Sequence, residues 1–138
     1  MCLLALLLSW GCKAKVQSEM EISSNRTVTF LNAVRDADVW ILPRTAANLK
    51  TTVWGMPTIP KSKTGEPRRI PLSEPGDGGL YIFRMIDEEG FFYSADGIAL
   101  EDGWRMKIEG EDLPSIFLEV SDGEGVSRNT RAVFAARL

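Results

Sequence analysis

Turn signals recur about every 8–12 residues through most of this chain, and apolar residues alternate with polar ones between them. That rhythm excludes long helices and predicts an all-β fold, a small antiparallel β-sandwich of about 7–9 strands. From Arg26 to Leu31, Val28 and Phe30 share one face and Thr27 and Thr29 the other. Val39 to Leu42 is a continuous apolar run, long enough for a buried strand and closed by Pro43. Leu80 to Ile86 is the strongest central strand, with Leu80, Ile82 and Ile86 on one face and Tyr81, Phe83 and Met85 on the other. Asp87-Glu88-Glu89-Gly90 is a hairpin turn into a strand from Phe91 to Ala95, with glycine where positive φ is needed.

Ala95-Asp96-Gly97 reads as another turn, leading into Ile98 to Leu100. Glu101-Asp102-Gly103 leads into Trp104, Met106 and Ile108, which alternate with Arg105, Lys107 and Glu109. Ser115 to Ser121 carries Ile116, Leu118 and Val120 on one face. Asp122 to Gly125 then turns into a last strand from Ser127 to Ala136. Arg69 to Ser73 is a weak strand, and Pro71 inside it predicts an edge. The one helical stretch, Thr45 to Thr52, is short and lies in a connection. Lys50 to Pro75 is the least regular region. It holds Pro57, Pro60, Pro67, Pro71 and Pro75 with Gly55 and Gly65, and reads as a long loop or a ragged hairpin.

The 138 residues fit one domain with a core of its own. Met1 to Trp10 is a run of about ten apolar residues, too short to span a bilayer, which takes about 20. It matches the apolar region of a secretory signal. Ser9-Trp10-Gly11-Cys12, a small residue directly before a cysteine, resembles the lipobox of bacterial lipoproteins. The resemblance implies that Cys12 receives a diacylglycerol and becomes the new N-terminus. Acyl chains then hold the protein to a bilayer at about 0.8 kcal/mol per buried CH₂. The expected organisation is a signal segment over 1–12, a polar tether over 13–25 and a β-sandwich over 26–138. The expected location is the cell membrane or outer membrane, lipid-anchored and facing outside the cytoplasm. The body is also similar to small exported bacterial proteins. Its markers are Thr27 to Phe30 with Asn32, Ile41-Leu42-Pro43, Trp54-Gly55, Gly79-Leu80-Tyr81, Asp87 with Gly90, and Gly97 to Leu100. That similarity implies a β-sandwich and supplies no activity.

Residue types narrow the chemistry. Net charge is −3 and both signs are scattered, so no stretch can neutralise a run of phosphates and no nucleic-acid partner is expected. The densest basic group, Lys61, Lys63, Arg68 and Arg69, reads as a solvated loop and a candidate partner contact. The chain has no histidine, and both cysteines, Cys2 and Cys12, lie in the N-terminal apolar segment. Ser-His-Asp and Cys-His catalysis therefore cannot be built in the body, and a zinc site lacks its usual ligands. The Asp/Glu-Gly turns fail the EF-hand pattern and suit turn chemistry instead. Gly76 to Gly79 lacks the lysine and helix of a P-loop. No metal or cofactor is expected. Glu88, Glu89, Glu101 and Asp102 are numerous enough for a carboxylate pair, but they sit in hairpin turns. Among the aromatics, Trp40 and Trp104 occupy core-type positions. Trp54, in the irregular region, is the candidate for ligand contact.

These features favour a non-enzymatic binding or accessory lipoprotein of the cell envelope. It would meet an envelope or secreted protein through the loop over Lys50 to Pro75 or through an open sheet edge. The alternatives are a carbohydrate-binding module, a small inhibitor or immunity-like protein, and a carboxylate-dependent hydrolase.

Overall fold

The computed structural model describes residues 26–51, 54–110 and 116–137. The signal segment with Cys12 and the tether lie outside these residues. Among the described residues ten strands form two five-stranded sheets. The first sheet has the order β4 (Arg68–Pro71), β1 (Thr27–Ala33), β7 (Arg105–Glu109), β8 (Phe117–Ser121) and β9 (Ser127–Ala132). The second has the order β10 (Phe134–Arg137), β6 (Phe91–Ala99), β5 (Leu80–Asp87), β2 (Ala37–Pro43) and β3 (Ile59–Ser62). Neighbouring strands are antiparallel except β1 and β7, which pair in parallel from Thr29 opposite Arg105 to Ala33 opposite Glu109. The expected all-β sandwich is the observed fold, with ten strands rather than nine or fewer.

The alternation read along each strand sorts its residues between core and outside. Val28 and Phe30, Met106 and Ile108, and Leu118 and Val120 point inward from the first sheet. Val39 and Ile41, Tyr81, Phe83 and Met85, and Tyr93 and Ala95 meet them from the second. Phe30 and Phe83 touch across the gap with ring centroids 6.0 Å apart. Burial of this cluster drives folding at about 25 cal/mol per Å² of apolar surface.

Three expectations change. Ala95-Asp96-Gly97 is not a turn. β6 runs on through it to Ala99, and the register against β5 shifts between Tyr81, opposite Ile98, and Phe83, opposite Ala95. The one extra residue makes a bulge, which glycine tolerates at φ 70°. Residues 59–62, within the region expected to be a long loop or a ragged hairpin, form edge strand β3, blunted by Pro60 and by Lys61 in the left-handed region. The last strand is two strands. Val133, buried and donating its N–H to the Ile116 carbonyl, ends the pairing with β8, and Phe134 then pairs with Ser94 of the other sheet. A corner between sheets leaves the alternation intact, so the pattern carried no sign of it.

The short helix α1 (Ala46–Lys50) is capped by Thr45, whose hydroxyl accepts from the Asn48 N–H. A 3₁₀ turn, Asp77–Gly79, precedes β5. No helix among the described residues is long and apolar enough to cross a membrane.

Candidate functional site

A tight hairpin shapes one end of the second sheet. Asp87 closes the β5–β6 turn, its Oδ1 accepting the N–H groups of Glu89 and Phe91, both at 2.9 Å. Gly90 takes φ 87°, which a side chain would resist. The other carboxylate oxygen faces inward and accepts the Tyr93 hydroxyl at 2.7 Å, with the Arg35 guanidinium 3.7 Å away. Burial, reinforced by Asp87, pushes the Tyr93 phenol up to about 12. Asp122 repeats the turn, accepting the N–H groups of Glu124 and Val126, but its second oxygen meets Arg128 at the surface. The N–H of Val126 and the other donors hold its carboxyl below the ordinary range. Both aspartates lie in turns, as their Asp/Glu-Gly sequences predicted, and their side chains cap those turns. Among the described residues no three Cys, Asp or Glu side chains are grouped so as to hold a metal ion.

A hollow of about 310 Å³ opens beside the first turn, lined by Asp36, Asp38, Lys61, Lys63, Ile86 and Glu88 among others. Its carboxylates are largely engaged. Asp38 accepts the Lys61 N–H at 2.9 Å. Asp36 accepts the N–H and hydroxyl of Thr64, which hold it below the usual carboxylate range, and lies 3.9 Å from the Lys63 ammonium.

The same sheet carries an aromatic group on the face turned away from the core. Trp40, Arg84 and Ser94 follow one another across β2, β5 and β6, with Phe92 two residues along. Trp54 lies over them, 5.2 Å from Trp40 edge-on and 5.6 Å from Phe92 in a stacked arrangement. Its indole N–H donates to the Thr51 carbonyl, and that of Trp40 donates to the Gly55 carbonyl. The Arg84 guanidinium sits 5.7 Å from the Trp54 ring and donates to the Ser94 hydroxyl at 2.8 Å. Trp40 and Arg84 are thus buried although they face away from the core. Trp54 is half-buried and serves partly as a plug, as well as presenting one edge of the cluster. Around it Phe134 is 65% exposed and Met56 is 86% exposed.

The structure separates the four basic residues singled out in the sequence. Lys61 and Lys63 flank the hollow on the second sheet, whereas Arg68 and Arg69 lie on β4 in the first. Arg69 faces outward, with its Nε donating to the Thr27 hydroxyl. Arg68 lies opposite Phe30 on the other face of the same strand. The carboxylates also part company. Glu88 and Glu89 sit at the start of β6, and Glu101 and Asp102 lie beyond its far end. Nine residues of strand put them about 25 Å apart, well beyond the about 5–9.5 Å of a glycosidase pair.

Nothing local in the sequence marks Phe134 and Met56 as surface contacts, or joins the outward-facing residues of the first sheet into a row. Alternation placed Arg105, Lys107 and Glu109 on a solvent face, but which residues of other strands adjoin them depends on the parallel β1–β7 pairing. Compared with known protein families, curated proteins and solved structures, the chain matches none.

Proposed function

We propose that this chain is a binding or accessory module of the bacterial cell envelope, tethered through an acylated Cys12 and carrying out no bond chemistry of its own. Its partner is another envelope or secreted protein, docked on the outer face of the second sheet. The observation that carries this reading is the cluster of Trp40, Trp54 and Phe92 bordered by the exposed side chains of Phe134 and Met56. Large exposed apolar side chains around aromatic anchors are what protein interfaces use, because a partner that covers them removes apolar area from water. Arg84, held beneath Trp54, adds rigidity, so little ordering is left to oppose binding. The absence of histidine and the location of both cysteines in the N-terminal segment support a binding role over nucleophilic catalysis.

The test is site-specific photo-crosslinking in a bacterial host, with the probe at Phe134 or Met56 and, as a control, at Thr130 on the other sheet. The expected result is one discrete protein adduct from the first two positions and none from the third. It should disappear with Phe92→Asp, and the membrane-fraction protein should show a diacylglyceryl mass that Cys12→Ser removes. Equal labelling from all three positions would sink the docking face, and an unmodified Cys12 in soluble protein would sink the anchor.

A further inference from the structure

The first sheet has an outer face of different chemistry, which the protein-docking reading leaves unused. Register sets Arg69, Thr29, Arg105 and Ser121 in one row across β4, β1, β7 and β8. The next row, two residues along, is Leu31, Lys107 and Glu119, and Phe117 stands beyond Glu119 on the same face of β8. A hollow of about 440 Å³ lies over these rows, lined by Thr29, Leu31, Arg105, Lys107, Glu119 and Ser121 among others. Lys107 is paired with Glu109 at 3.2 Å. No described residue pairs with the Arg105 guanidinium. Arg69 and Arg105 flank Thr29 with their Cα atoms about 10 Å apart, two strand spacings. Phe117 is 43% exposed.

We infer that this hollow binds an acidic saccharide, a sugar bearing a carboxylate. Each group answers one part of such a ligand. The free guanidinium of Arg105, with Arg69 across the row, suits a carboxylate, which arginine can hold with two parallel hydrogen bonds. The carboxylate of Glu119 accepts from sugar hydroxyls, and the hydroxyls of Thr29 and Ser121 both donate and accept. The ring of Phe117 offers an apolar platform for a sugar face. Glu119 and Glu109 argue against a dense polyanion or an anionic membrane, which they would repel at close range. An acidic peptide would bring backbone groups that a sheet face, its own backbone already paired, cannot answer.

The test is calorimetric titration of the whole chain, in detergent if acylated, with tri-galacturonate. Its neutral counterpart of the same length, a glutamate peptide and inorganic phosphate serve as comparisons. Tri-galacturonate is expected to bind at least about tenfold more tightly than the neutral sugar, and Arg105→Ala to remove about tenfold or more, the worth of one charge-assisted hydrogen bond. Glu119→Gln and Phe117→Ala should each weaken binding severalfold, while Phe134→Ala on the other sheet leaves it unchanged. Glu119→Gln is the decisive variant. If the face only attracts anions, removing this negative charge strengthens binding, and the inference fails. It fails equally if phosphate or the glutamate peptide competes as well as the uronate, or if the uronate does not bind.

Discussion

Replacing Asp87 by alanine should cost far more than the same change at Asp122, although the two aspartates cap identical turns. Each accepts two backbone N–H groups through Oδ1, two and four residues ahead, with a glycine at positive φ between them. The local cost of losing the cap is therefore common to both and cancels in the comparison. The difference lies in the second oxygen. That of Asp87 is buried and holds the hydroxyl of Tyr93, itself 0% exposed, whereas that of Asp122 meets Arg128, a side chain 53% exposed that water can solvate once the carboxylate is gone. Removing Asp87 strands the buried Tyr93 hydroxyl, which has no counterpart at Asp122. At about 1–3 kcal/mol for that orphaned hydroxyl, about 1 kcal/mol for the shared cap and a small cavity added, the loss should be about 3–5 kcal/mol. For a domain of this size that lowers Tm by about 10–20 °C. Asp87→Asn, which keeps one acceptor, should fall between wild type and alanine. Urea denaturation followed by tryptophan fluorescence gives the numbers, and a common m-value would show that the comparison is two-state. Equal losses for Asp87→Ala and Asp122→Ala would refute the reasoning, because the buried hydroxyl would then contribute nothing.

Three further outcomes follow from the same geometry. Tyr93 has its phenol raised to about 12 from 10.0, so its contribution to stability is complete below pH 10 and is lost as the pH climbs towards about 12. Tyr93→Phe should flatten that alkaline decline in a pH series of denaturation curves. Asp122, held below its ordinary 3.8, contributes stability above that pH which is lost as the pH falls through the lower folded-state value; Asp122→Asn should remove this part of the acid sensitivity. At Gly76 a Cβ would lie 2.2 Å from the Arg44 carbonyl oxygen and 2.3 Å from the Arg44 nitrogen. Gly76→Ala must push apart backbone that also carries the Asp77 N–H to Arg44 hydrogen bond. It should cost about 3 kcal/mol or more by thermal melting, against little change for alanine at the neighbouring exposed Asp77.

Alternation and turn residues by themselves determined the all-β class, the two faces of β1, β5, β7 and β8, and the turns that hold Asp87 and Asp122. All of these are local, because a period of two decides which side chains share a face, and an aspartate followed by glycine closes a turn within its own few residues. The bulge at Asp96 and Gly97 looked like a turn because both use the same residues, and only the partner strand shows that the chain runs on. β3 carries no alternation of its own and exists because the Ala37–Val39 side of β2 is open to pair with it. Tertiary structure alone decided that Val133 is a corner, that Trp54 roofs Trp40 and Phe92 across the sheet, and that Lys61 and Lys63 part from Arg68 and Arg69. It also decided that Arg69, Thr29 and Arg105 form one row, since that depends on β1 and β7 running parallel after a long excursion through the other sheet. The separation in sequence is the physical reason: local pattern sets which way a residue faces, while its neighbours on that face are chosen by strand order and register.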